Sequence, residues 1–173
     1  MGIRYNSPWL LGAGLALTAA FSAVIGWGRF RAVEVPQFSE WAHVAPLCAD
    51  AGVQLAEAVA VLDAHDLPVR AELGPCDDRA AIHLHVSPAD VDRIRPSEGT
   101  IGAAEIRGVF ERRIVSGVIV DCQVYLQRGT DTGALVHEVL HCLGYDHAIQ
   151  APAGHVMNRD YARIGLTDFR GVP

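Results

Sequence analysis

A chain of 173 residues with a formal net charge of −6 and 50% hydrophobic residues has room for one domain of ordinary size, which excludes a multidomain machine. Its 14 basic residues, all Arg, form no cluster and are outnumbered by 20 acidic ones, so nucleic acid is excluded as the main partner. A charged fraction of 20% and a mean hydropathy of +0.20 point to an apolar segment inside an otherwise ordinary chain.

That segment is N-terminal. No residue from Leu10 to Trp27 is charged, and Arg4, Arg29 and Arg31 flank the run. As a helix, Trp9 to Trp27 would span about 27 Å, close to the bilayer hydrocarbon thickness of about 30 Å, with a Trp at each interface. The expectation is a single-pass membrane protein whose residues 1–28 form an N-terminal transmembrane helix, in contact with the lipid bilayer through residues 9–27, and whose remainder is extracytoplasmic. The alternative is a cleaved signal peptide and secretion, since Ala20 and Ser22 have suitable spacing. Residues 29–36, with Pro36, then read as a juxtamembrane linker, and residues 37–173 as the folded domain.

Val53, Leu55, Ala56, Val59, Ala60 and Leu62 recur at helical spacing, predicting a helix that ends near His65 and starts as early as Pro46 if Gly52 is tolerated. Leu67–Leu73 and Ala80–Val86 read as strands around a turn at 74–78. The second strand alternates Ile82, Leu84 and Val86 with His83 and His85. Pro and Gly make 87–104 irregular. A strand follows near Glu105–Arg112, then a stronger one over Val118–Leu126 with Val118, Val120, Cys122, Val124 and Leu126 on one face. Thr132-Gly133 opens a helix that Gly144 closes. The pattern describes one mixed α/β domain.

The four cysteines, Cys48, Cys76, Cys122 and Cys142, contain no C-x-x-C pair, which excludes a cysteine zinc ribbon and a thioredoxin-type site. An even count behind an N-terminal signal favours an oxidising compartment and two disulfides; buried free thiols are the other reading.

The segment His137-Glu138-Val139-Leu140-His141-Cys142-Leu143-Gly144-Tyr145-Asp146-His147 is H-E-x-x-H-x-x-G-x-x-H without a departure. Residues four apart share a helix face, so His137 and His141 can offer two imidazole nitrogens to one metal. Gly144 permits the positive-φ turn that brings His147 to a third corner, leaving a fourth for water. Glu138 is placed to act as general base and then general acid. Cys122, on the apolar strand face, and Cys142, next to a ligand, are a candidate disulfide beneath this helix, or two thiols in contact.

The extended motif resembles that of the metzincin zinc peptidases, whose second hallmark is a Met-turn; Met157 lies ten residues after His147, within His155-Val156-Met157-Asn158. Leu143–His147, with Asp146 before the third ligand, resembles the matrixin branch most. Ala80–Val86 is similar to the matrixin strand that precedes the edge strand, and Leu166–Val172 to the start of that family's C-terminal helix. The resemblance implies an α/β (α+β) zincin-like fold: a twisted mixed sheet with an antiparallel edge strand that aligns substrate, an active-site helix and the Met-turn. Joined to the N-terminal anchor, it implies a membrane-anchored zinc metalloendopeptidase acting on protein or peptide, with one catalytic Zn2+ on His137, His141 and His147 and with Glu138 moving protons. His83 and His85 are candidates for a second, structural metal of the kind matrixins often carry, against a solvated pair; His155 and Tyr161 are candidate cleft residues. Two other functions remain open: a catalytically silent, membrane-tethered binding module that keeps the metal, and a zinc amide hydrolase acting on a non-protein substrate.

Overall fold

The computed structural model describes residues 33–72, 80–94, 107–159 and 164–172, which belong to one unit beginning at Val33. The elements run β1 (Glu40–Trp41), β2 (Ala45–Ala49), α1 (Leu55–Ala64), β3 (Val69–Glu72), β4 (Ile82–Val86), α2 (Pro88–Ile94), β5 (Gly108–Val115), β6 (Val118–Leu126) and α3 (Thr132–Cys142). They build a small mixed α/β domain around a six-stranded sheet whose path is β1-β6-β4-β2-β3. Every pairing along that path is parallel, while β5 lies off it and pairs antiparallel with β6.

The sheet's apolar face and the helices make one core. Leu47, Ile82, Leu84, Cys122, Val124 and Leu126 meet Ala58 and Leu62 of α1 and Leu135, Val136, Val139 and Leu140 of α3, all buried. Burying a Leu or Val side chain stabilises the fold by about 1.5–3 kcal/mol, so α3 is fixed along its whole length. The opposite face carries His83, His85, Asp121 and Gln123, half-buried.

The expected fold needs correcting in several places. The sheet is mostly parallel, and the strands ending its path, β1 and β3, are both paired parallel, against the expected antiparallel edge strand. Among the described residues no helix is long and apolar enough to cross a membrane, against the expected transmembrane helix and single-pass localisation. The longest, α3, has 11 residues where a bilayer needs about 20. Residues 9–27 lie outside the described residues.

Smaller corrections have local causes. Pro46 sits in β2, not at a helix start, because Gly52 adopts a φ of +101° and breaks the chain before α1. A short helix, α2, occupies part of the stretch expected to be irregular. Ser87 caps it, its carbonyl accepting from the Asp90 and Val91 amides and its hydroxyl donating to Asp90 at 2.6 Å, with Pro88 in the first helical position. Alternation along β6 is broken, since Arg113 faces Asp121 while Ile114 faces Ile119, leaving Val120 as a bulge. Ile119, expected on the polar side with Asp121 and Gln123, is buried. Residues 164–172 form bends and a bridge from Asp168 to His155 where a helix was expected.

Candidate metal centre

Asp131 starts α3, its Oδ1 accepting from the Ala134 amide at 2.9 Å. Six and seven residues on, His137 and Glu138 are fully buried, and His141 returns to the same face one turn later. Leu143 caps the helix and Gly144, at a φ of +97°, turns the chain. A side chain at 144 would also collide with the Ser39 carbonyl, so glycine is required on two counts. The returning segment is gripped by the N-terminal strap: the Phe38 amide donates to Gly144 O at 3.1 Å and the Asp146 amide to Pro36 O at 2.8 Å. His147 is thus carried back to the helix.

Hydrogen bonds then fix each imidazole. His137 Nδ1 donates to Val156 O at 2.6 Å, and His141 Nδ1 donates to Tyr145 O at 2.9 Å. A carbonyl can only accept, so both rings carry their proton on Nδ1 and present a lone pair on Nε2. Those two Nε2 atoms face each other at 3.1 Å, where neither can donate to the other. The Nε2 of His147 is buried and has no hydrogen-bond partner among the described residues. One ring nitrogen from each histidine lies within 4.8 Å of the others, so the triad could hold a metal ion.

Electrostatics keep the donors neutral, as a metal ligand must be. Burial pushes His137 down to about 4. It pushes His141 well below the ordinary imidazole value, helped by its neighbours His137 and His147. His147 is lowered as well, by burial first, with the Asp146 carboxylate opposing and Arg159 assisting.

Glu138 packs against the first residue of β5. A Cβ at Gly108 would come within 2.8 Å of Glu138 Cγ and 3.2 Å of Oε1, so glycine there makes room for the carboxylate. Two residues on, the Phe110 ring stacks on His141 with centroids 4.5 Å apart, and the Arg112 guanidinium sits 5.5 Å from the Phe110 centroid while donating to His141 O at 2.8 Å.

Met157 is fully buried and its amide donates to His155 Nδ1 at 3.0 Å. His155 therefore carries its proton on Nε2, which donates to Arg170 O at 2.9 Å. It pins the turn to the C-terminal segment and is not among the metal-facing donors. Asn158 Nδ2 closes the turn on the Ala151 and Pro152 carbonyls. Cys122 and Cys142 form a disulfide, Cα–Cα 5.7 Å, linking β6 to α3; Cys48 is disulfide-bonded too.

His83 and His85 stack with centroids 6.3 Å apart, but His85 bonds Asp50 and Gln123, each at 2.9 Å, and neither histidine belongs to a metal-capable cluster among the described residues. Tyr161 lies outside the described residues. Sequence reasoning missed Gly108, Phe110, Arg112 and the carbonyls of Val156 and Tyr145. Only Gly108 left a signal, a glycine opening a strand. No protein-family model matches the chain, and comparisons with curated proteins and with solved structures return no match.

Proposed function

We propose that the protein is a zinc-dependent endopeptidase of the metzincin type, nearest the matrixin branch, which hydrolyses peptide bonds in a protein or peptide substrate. The observation that carries this reading is the convergence of three neutral imidazoles on one point, with two Nε2 lone pairs 3.1 Å apart and a third Nε2 without a partner. Lone pairs so close repel unless a cation lies between them. Three nitrogen donors suit zinc, and tetrahedral sites with Zn–N of about 2.0–2.1 Å hold neighbouring nitrogens about 3.3–3.4 Å apart.

His137, His141 and His147 would hold the ion, each offering one ring nitrogen. Zinc bound there supplies Lewis-acid chemistry, polarising a carbonyl and lowering the pKa of water. Glu138, next to the first ligand and packed against Gly108, takes the proton from the attacking water and returns it to the leaving amine. Val156 and Tyr145 hold the rings that frame the reaction.

The test is zinc content together with peptide-library cleavage for the wild type and Glu138→Gln. The wild type should bind one zinc and cleave, with cleavage lost on chelation and restored by zinc. Glu138→Gln should keep its zinc and lose about 10²–10⁴-fold in kcat. A variant that hydrolyses at the wild-type rate overturns the role of Glu138; a zinc-loaded wild type that cleaves no peptide overturns the peptidase reading.

A further inference from the structure

A cavity of about 510 Å³ opens beside the third ligand, with Phe38, Asp146, His147, Ile149 and Arg159 among its lining residues. That lies within the roughly 300–1,000 Å³ of small-ligand sites. Its walls are unusual for idle surface. Phe38 is 69% exposed and Ile149 60%, the two highest values among the exposed large hydrophobic side chains of the described residues. Two such residues in one concavity, next to a metal-facing histidine, make an apolar wall that no described residue covers.

The cavity also holds a cation. Arg159 is exposed and makes no hydrogen bond or ion pair with any described residue. Asp146, in the same cavity, is not its partner; its Oδ1 accepts from the His147 amide at 2.7 Å. A guanidinium matches a carboxylate in geometry as well as charge. Asp146 disfavours a second anion nearby, so the occupant bears a single negative group.

We infer that this cavity is a substrate subsite which binds a carboxylate on Arg159 while the neighbouring methylene groups rest on Phe38 and Ile149. The inference rests on the peptidase reading and specifies its substrate: a peptide presenting a carboxylate close to the bond cut. Two sources share that chemistry, an acidic side chain and a free C-terminus.

The experiment uses the full zinc-loaded chain and matched peptides, Glu against Gln at each position flanking the cleaved bond, and C-terminal acid against amide. The wild type should favour one carboxylate peptide by about tenfold in kcat/KM, the order of one charge-assisted hydrogen bond. The Glu/Gln or the acid/amide arm identifies the source. Arg159→Gln should bring the ratio near one, Arg159→Glu should turn the preference to Lys, and 1 M salt should shrink the wild-type ratio. Calorimetry of the same pairs on Glu138→Gln, with Arg159 present or replaced, reads the subsite without turnover. Equal binding of both members of every pair, or a preference unchanged by Arg159→Gln, overturns the subsite; absence of cleavage with a carboxylate preference in binding overturns the peptidase reading alone.

Discussion

His137 and His141 are oriented by the carbonyls of Val156 and Tyr145, and Glu138 is admitted by the missing side chain of Gly108. The three histidines and Glu138 could be picked out of the sequence because a fixed spacing of ionisable residues is itself a pattern. The groups that aim them could not: a carbonyl belongs to every residue type, and Phe110 and Arg112 reach His141 only through strand pairing across many intervening residues. Gly108 offers the sharpest test at this scale. Gly108→Ala sets a methyl 2.8 Å from Glu138 Cγ, and the carboxylate must shift. Since misplacing a catalytic group by about 1 Å can cost 10²-fold, kcat should fall by about one to two decades with zinc content unchanged. Steady-state kinetics beside metal analysis would check it, and an unchanged kcat would show that Glu138 does not depend on that space.

At the level of elements, α3 and β4 were readable from apolar spacing and from Gly144, whereas three features were not. Pro46 and its neighbours read as a helix start from local sequence, but burial between β3 and β4 makes them a strand. The bulge at Val120 inverts side-chain parity, and nothing in a run of Val, Ile and Asp announces it. The seven residues of α2 are too few to show a period. The start of α3 has a simpler dependence, on the Asp131 cap. Asp131→Ala should destabilise the domain by about 1 kcal/mol, measured as a shift in urea midpoint at constant m-value. No shift would mean the Ala134 amide finds an equally good partner in water.

For the whole molecule, residue patterns gave a mixed α/β domain but not its strand order, because parallel pairing joins segments that share no local signal. β6 alone connects β1, β4 and β5, so the long-range order rests on it. The Cys122–Cys142 disulfide anchors α3 to that strand with a sequence separation of 20. A loop of that size stabilises by about 3 kcal/mol in the chain-entropy account. Cys122→Ala should therefore lower the thermal midpoint of the zinc-loaded protein markedly, and reductant should lower the wild type similarly but leave the variant's midpoint less affected. Equal midpoints for variant and wild type would remove the disulfide from the fold's support.

The same bond has a topological result. His137, Glu138 and His141 all lie between Cys122 and Cys142, so two of the three clustered histidines and the carboxylate belong to a covalently closed ring that the third, His147, lies outside. The exposed residues 128–129 and 131 between β6 and α3 are part of that ring. A backbone cut there would open the ring without parting the chain, leaving helix and strand tethered sulfur to sulfur. Under the proposed peptidase function, self-cleavage at the connection nearest the start of α3 would release nothing.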